Sequence, residues 1–581
     1  MATDIIMRIA GEGGEGVIST GDFLMQAATR AGMEVVTFKT FPSEIKGGYA
    51  LSQVRISDNK IYSQGDTFDI LVAFNGEAYA INKKELTPGK IMVYDFPDGD
   101  FEPQDHKDVH MYPVPMTKIA KFELQAPIVK NMVALGAVSE IFKVPMDSLI
   151  QSITDKFIRK GQAVVDKNLE AIEAGARYVR ENIKKTDTRV FPSPTPQKDV
   201  IIVEGSEAVA LGAMVAGCRF FSCYPITPAT SIANYMSSMI LKANGFVYQA
   251  EDEIASIANC LGASFAGVKT MTSTSGPGLD LMSELLGLGS MAELPVVIVN
   301  VQRGGPSTGM PTKHDQADLL STAYNSHGDT PKIILAASNV EENFYLTIDA
   351  FNLAERYQMP VFMLSDASLA IRTEAIPVPD ISKIKIENRV TYSGKKDEQE
   401  KFLRYVNTKS GISPMGIPGT PGASYAATGL EHAEDSGPRT NQETRNMMTE
   451  KRWRKLENIE EEYTNIEVDE QQGAEVGIIA WGLTASITKE AIQRLRNKGY
   501  KVSAMYPKMV YPVPVNSIEK FASKIKTVII PEANYQGQFA QLVKAKTNNV
   551  NPVKLNIYRG EPFIPKEIED FTEKYLTKGS S

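Results

Sequence analysis

The sequence predicts an α/β protein built from three α/β domains. Three observations predict it. Strand–turn–helix patterns restart near residues 4, 199 and 474, a proline-studded stretch separates the first two, and the composition is that of packed globular protein. The 581 residues amount to about four domains of ordinary size. With 43% hydrophobic and 23% charged residues, a disordered chain and a collagen are excluded. The net charge of −8 leaves no electrostatic footprint for nucleic acid or a membrane surface. No apolar run is long enough to span a bilayer, and the first residues lack a signal-peptide pattern, so a cytoplasmic protein is expected. Cys218, Cys223 and Cys260 form no CxxC pair and are too few for a disulfide scaffold or for holding an iron–sulfur cluster unaided.

The first domain is expected over 1–185. Residues 4–10 read as a buried strand, Gly11–Gly16 as a turn, 19–31 as a helix and 35–38 as a second strand, which together make a βαβ unit and a parallel sheet. Further strands are expected at 70–74 and 90–94, then helices through 117–182 with a charged helix at 168–185. Pro192, Pro194 and Pro196 mark 186–198 as a linker. A second domain, 199–384, carries strands near 199–205, 219–223, 246–249, 270–273, 296–301 and 361–365. Residues 385–470 break the rhythm with a polar, Gly- and Pro-rich excursion ending in a charged helix at 442–462. The third domain, 471–581, opens on the strand 474–482, has strands at 502–506 and 527–530, and alternates them with helices at 484–498, 515–524 and 536–546.

Gly11-Glu-Gly-Gly-Glu-Gly16 is formally a GxGxxG after a strand, a pattern that cradles diphosphates at a helix N-terminus. Its two glutamates repel phosphate, and Glu34 precedes the second strand instead of ending it, so a nicotinamide site is disfavoured against a tight structural turn or contact with a larger cofactor. Tyr224-Pro225-Ile226-Thr227-Pro228 follows a strand and holds Thr227 at its carboxyl end, either as a ligand loop or as a proline-stiffened corner. Glu251, Asp252 and Glu253 head an alanine-rich helix. One of the three is expected to matter, as a macrodipole partner or as a buried acid sharing a proton with a ligand. Thr272–Gly278 and Arg303–His314 are two more loops after strands, and an arginine in an open glycine loop suits a carboxylate as well as a surface ion pair. Three such loops on one sheet favour a site. The five histidines are scattered, so no metal site is expected in this chain.

With these loops the sequence resembles the 2-oxoacid:ferredoxin oxidoreductases, thiamine-diphosphate enzymes that oxidise 2-oxoacids to acyl-CoA. The YPITP loop, the Glu-led helix, TSTSGPG and RGGPSTGMPTKH look like the family's α chain. GEGGEGV with Ser43–Gly48 looks like its γ domain fused in front, and Pro531–Gln538 is similar to the transketolase C-terminal domain. The resemblance thus implies a γ-type domain, a pyrimidine-binding domain and a transketolase C-terminal-like domain. It implies that Glu253 hydrogen-bonds the cofactor's aminopyrimidine, that Tyr224, Pro225, Ile226 and Thr227 flank cofactor or substrate, and that Arg303, Thr227, Thr312 and Lys313 bind substrate, with His314 a further candidate beside Lys313. Gly14 and Lys46 are put forward as coenzyme A contacts.

The chain lacks the family's Gly-Asp-Gly…Asn diphosphate motif and its cluster cysteines. The resemblance therefore implies that thiamine diphosphate is shared with a β subunit carrying Mg2+ and a [4Fe-4S] cluster. The assembly implied is an (αβ)2 heterotetramer that reduces ferredoxin, inactive without β. The fused γ-α layout looks most like the 2-oxoglutarate branch, with pyruvate or branched-chain 2-oxoacids, or a non-catalytic scaffold, as the competing expectations.

Overall fold

The computed structural model describes residues 4–42, 47–96, 103–104, 106–191, 199–394 and 401–577. The chain divides into two compact units. One comprises 1–203, 371–378 and 564–566, and the other 204–370, 379–563 and 567–581.

The first unit is laid down by β1 (Asp4–Glu12), β2 (Glu34–Thr40), β3 (Tyr49–Ser57), β4 (Ile70–Ala73), β5 (Ile91–Asp95) and β6 (His110–Val114). Ile5, Ile6, Met7, Ile9 and Ala10 are all buried, the near-continuous apolar run of a strand covered on both faces. β1, β4, β5 and β6 pair in parallel. β2 is not β1's neighbour, as a simple βαβ unit would make it, because β3 lies between and runs antiparallel to both. The sequence conceals β3 because its buried Ser52, Gln53, Arg55 and Ser57 are polar. Partners offset that burial, since Gln53 accepts from Arg8 Nε at 2.9 Å and Arg55 is paired with Asp4 at 2.6 Å. Behind the sheet, helices Lys130–Phe142 and Gln162–Asn182 cross closely. A Cβ on Gly136 would stand 2.0 Å from Ile172 O, and one on Gly175 2.1 Å from Val133 O.

The stretch Thr186–Phe191 is not a free linker. Tyr112 donates to Asp187 at 2.6 Å, and the buried Phe191 packs edge-on against Phe142. The strand β7 (Val200–Glu204), expected to open the second domain, instead joins the first sheet.

The second unit begins its own sheet with β8 (Phe220–Cys223), β9 (Phe246–Gln249), β10 (Thr270–Thr274), β11 (Val296–Gln302), β12 (Ile333–Ala336) and β13 (Pro360–Asp366), all parallel. The chain then returns through β14 (Thr373–Pro377) to the first unit, whose sheet order is β6-β5-β4-β1-β3-β2-β14-β7. β14 pairs antiparallel with β2, with Thr373 N donating to Thr37 Oγ1 at 2.9 Å and Lys39 Nζ to Thr373 Oγ1 at 3.1 Å.

The described residues of the 385–470 excursion, 385–394 and 401–470, are fastened to the second unit. Arg389 is paired with the buried Glu355, while Lys451 and Lys455 grip the fully buried Glu293 at 2.7 Å each. The expected helix 442–462 is two helices, Gln442–Arg454 and Ile459–Glu462, because the chain turns where Lys455 is drawn inward. Then follow β15 (Ile466–Asp469), β16 (Val476–Ile479), β17 (Val502–Pro507), β18 (Met509–Tyr511), β19 (Thr527–Glu532) and β20 (Val553–Asn556). β18 adds antiparallel to β12, giving β18-β12-β13-β11-β10-β8-β9, and the others form β15-β17-β16-β19-β20. Among the described residues no helix is long and apolar enough to cross a membrane.

Candidate active site

Parallel strands deliver their carboxyl ends to one edge of the sheet, and four of the sequence-predicted loops leave from that edge. Ala250 N donates to Cys223 O at 2.9 Å, so the Tyr224 loop and the Glu251–Glu253 segment leave β8 and β9 side by side. The three acids divide by environment. Glu251 is exposed, Asp252 caps the helix Glu253–Phe265 by accepting from Ala255 N at 2.7 Å, and Glu253 is 4% exposed. Burial pushes the Glu253 carboxyl above its ordinary range, with the charge of Asp252 adding to the rise and its own backbone N–H opposing it. The carboxyl rests on the TSTSGPG turn, where a Cβ on Gly278 would meet Glu253 Oε1 at 2.4 Å.

The Arg303–His314 loop is a closed hairpin. Gly304 N donates to Lys313 O at 3.1 Å and Met310 N to Gly304 O at 2.7 Å, so Arg303 and His314 sit at the two ends of the loop, beside its neck. Arg303 Nη1 donates to Thr227 O at 2.5 Å, which ties this hairpin to the Tyr224 loop. Tyr224, Pro225 and Thr227 are exposed, while Ile226, Thr312 and Lys313 are half-buried. Arg303 Nε, Thr312 Oγ1 and His314 Nε2 are buried with no hydrogen-bond partner among the described residues, as are Ser222 Oγ and Ser275 Oγ on the neighbouring strands. Buried polar atoms are ordinarily paired, and so many orphans at one sheet edge mark a place built for a polar ligand.

Sequence reasoning missed the elements that hold this edge. Gln316 Oε1 accepts from Thr484 Oγ1 at 2.6 Å and from Ala533 N at 3.1 Å, while Gln538 Nε2 donates to Ala317 O at 2.6 Å. The third sheet thus pins the segment after the hairpin. The polar run Asn534–Gln538 was the available signal. Asp318 accepts from Asn300 Nδ2 at 3.0 Å beside Gly276, and burial pushes its carboxyl up to about 6, as it does that of Asp315.

One side of the site is left open. Ile254, Ala258 and Gly262 are exposed along one face of the Glu253 helix, and among the described residues no atom beyond the helix's own nearby backbone lies within 4 Å of a Cβ placed on Gly262. Phe246 and Tyr248 on β9, the sheet's edge, are 55% and 47% exposed. The three cysteine thiols are buried, and burial raises Cys218 to about 12 and Cys223 to about 11, so neither supplies a thiolate.

In the first unit, Gly14 borders a cavity of about 830 Å³ at the carboxyl ends of β1, β4 and β5, lined also by Glu12, Glu15, Glu77, Asp95 and Lys130. Glu15 folds back into the glycine turn, accepting from Glu12 N at 2.8 Å, Asn75 Nδ2 at 2.9 Å and Lys130 Nζ at 2.9 Å. A side-chain carboxylate therefore takes the donors that a nucleotide diphosphate would use. Lys46 lies outside the described residues.

Residues 211–451 match the domain described as pyruvate flavodoxin/ferredoxin oxidoreductase, thiamine diP-bdg. Residues 6–178 match pyruvate ferredoxin/flavodoxin oxidoreductase, and 474–561 match core domain II of pyruvate:ferredoxin oxidoreductase. The 2-oxoglutarate oxidoreductase subunit KorA of Mycobacterium tuberculosis is 32% identical over 99% of this chain and 92% of its own. The chain belongs to the 2-oxoacid:ferredoxin oxidoreductase family. Another relative in this family, the 2-oxoglutarate synthase subunit KorA of Methanocaldococcus jannaschii, is 37% identical over 64% of this chain and 98% of its own. A solved 2-oxoglutarate:ferredoxin oxidoreductase from Magnetococcus marinus, with 2-oxoglutarate, coenzyme A and succinyl-CoA bound, is 49% identical and superposes with a TM-score of 0.95 over 99% of both chains. The strands β8 to β13 and the orphaned polar edge fall within the thiamine diphosphate-binding match of this 2-oxoacid:ferredoxin oxidoreductase subunit, while β18 is added from outside it.

Proposed function

We propose that this chain is the fused γ-α subunit of a 2-oxoglutarate:ferredoxin oxidoreductase, converting 2-oxoglutarate and coenzyme A to succinyl-CoA and CO2 with electrons passed to ferredoxin. The observation that carries the reading is the buried Glu253 carboxyl at the same sheet edge as the unpartnered Arg303 Nε and Thr312 Oγ1. The likeness of the whole chain to the Magnetococcus marinus enzyme supports 2-oxoglutarate as substrate.

The residues present fit thiamine diphosphate: an enclosed acid, a glycine surface at Gly278 and an uncovered rim. When bound, the cofactor supplies the carbon nucleophile and the electron sink for 2-oxoacid chemistry. Glu253 shares a proton with a ring nitrogen of the aminopyrimidine, and its burial-raised pKa suits that exchange. Tyr224, Pro225 and Ile226 would flank the bound cofactor. Arg303, Thr312 and Thr227 orient the substrate's 1-carboxylate and ketone, with Lys313 at the mouth of the hairpin. The unit carrying Gly14 contacts coenzyme A. Its carboxylate-lined cavity suits the uncharged pantetheine arm better than the phosphates.

The magnesium–diphosphate site and the [4Fe-4S] cluster belong to a β subunit, which covers Ile254, Ala258 and Gly262 and closes the cofactor between two chains. An (αβ)2 heterotetramer in the cytoplasm completes the reading.

The test is co-purification with the β chain, followed by coenzyme A-dependent viologen reduction with a panel of 2-oxoacids. The complex should turn over 2-oxoglutarate fastest, and this chain alone should turn over none. Glu253→Gln should lower turnover by about 100-fold or more while the complex still assembles. Preference for pyruvate or a branched-chain 2-oxoacid would refute the substrate. A complex that binds no thiamine diphosphate would make the chain a scaffold.

A further inference from the structure

Arg303 and His314 flank the neck of one hairpin, closed by Gly304 N donating to Lys313 O. Each is buried, 8% and 3% exposed, and each keeps one ring or guanidine nitrogen without a hydrogen-bond partner among the described residues. The neck of the hairpin thus carries two buried nitrogens whose hydrogen-bonding capacity is unmet among the described residues.

His314 is supported from behind. Its Nδ1 meets Asp366 Oδ1 at 2.9 Å, and that oxygen also accepts from Leu369 N at 2.8 Å, at the start of the helix Ala367–Ile371. Asp366 closes β13 and is level with Gln302 on β11, the residue before Arg303. The carboxylate fixes the proton on Nδ1 and turns Nε2 away from itself. His314 N is held as well, donating to Gly560 O at 3.1 Å. A ring tied down at its backbone and at Nδ1 has one free function, which is to offer Nε2.

We infer that His314, oriented by Asp366, binds the distal carboxylate of the substrate and so makes the site selective for a 2-oxo dicarboxylate. This rests on the proposed oxidoreductase reading and adds the residue that sets its substrate class. Arg303 and Thr312 take the 1-carboxylate, and His314 Nε2–H donates to the second one. The imidazole would lie between the Asp366 carboxylate and that of the ligand, with one ring nitrogen toward each. A substrate ending in a methyl group leaves Nε2 buried and unpaired, which penalises its binding.

The experiment uses the complex with the β subunit and compares 2-oxoglutarate with 2-oxobutyrate, which lacks the distal carboxylate. His314→Leu should lower kcat/KM for 2-oxoglutarate by about 10–100-fold, mainly through KM, and raise that for 2-oxobutyrate, because no unpaired Nε2 remains to penalise its binding. His314→Gln, which keeps a donor near Nε2 without the charge and guards against a folding defect, should fall between. Asp366→Asn keeps an acceptor for Leu369 N and should also weaken 2-oxoglutarate selectively. Equal losses on both substrates, or none on 2-oxoglutarate, would overturn the inference. A wild-type complex that does not use 2-oxoglutarate would overturn the underlying reading instead.

Discussion

Glu253 and Gly278 are in such close contact that a single added methyl group would come within 2.4 Å of the Glu253 carboxyl oxygen and 2.2 Å of Thr274 Oγ1. The acid is therefore aimed by the absence of a side chain on the facing turn. Gly278→Ala should displace Glu253 and lower turnover of the reconstituted complex by about 100-fold, the usual result of moving a reacting group by an ångström. Circular dichroism of the isolated chain should not change. Retained activity would show that Glu253 needs no such seat.

Gly262 makes the opposite prediction. Among the described residues nothing beyond its own helix stands near it, so Gly262→Trp should leave this chain folded. If the exposed face of its helix is where the β subunit docks, the same change should abolish co-purification, because a bulky ring blocks close helix packing. A variant that assembles normally would move the interface elsewhere.

Asp318 gives a pH signature. Burial raises its carboxyl to about 6, so the folded chain favours the protonated form. That contribution is complete below about pH 4 and is lost as pH climbs through about 6, since the folded state holds the proton longer than the unfolded one. Asp318→Asn keeps an acceptor for Asn300 and avoids burying a charge. It should raise the urea midpoint at pH 7.5, by an effect on the order of 2 kcal/mol, and give no gain at pH 4. An equal gain at both values would assign the effect to packing instead.

Glu293 anchors the segment that carries Arg404, Lys451 and Lys455. Burial alone would raise its carboxyl, but Lys455, Lys451 and Arg404 outweigh that and hold it well below the carboxylate range, while burial lowers Lys455 to about 7. Glu293→Gln leaves two buried ammonium groups facing an amide. Unfolding in urea should show a loss of about 3–5 kcal/mol, the cost of breaking a buried ion pair from one side.

Long apolar strands such as β4, β11 and β13 were legible in the sequence because their pattern needs no distant partner to explain it. So were the loops that follow them. β3 was not, since the sense of burying Arg55 and Gln53 comes from partners such as Asp4 and Arg8 on the adjoining strand. Lys451 and Lys455 read as the charges of a solvated helix until Glu293, far away in sequence, is brought between them. Of the site, the acids and the arginine hairpin could be found by residue type. The tie from His314 to Asp366, and the pins at Gln316 and Gln538, depend on which strands end side by side.

β2 is complete by residue 40, whereas β14, which covers its edge, begins at residue 373. A ribosome must therefore deliver roughly 330 more residues before that edge is sealed, and meanwhile the nascent sheet presents bare peptide groups to any passing strand. Gene fission downstream of Phe191 would strip the amino-terminal product of β7 and β14, so such a product needs a substitute cover for β2. Fusion spares the organism that problem only after synthesis has passed residue 377, which makes this unit a natural client for chaperones during translation.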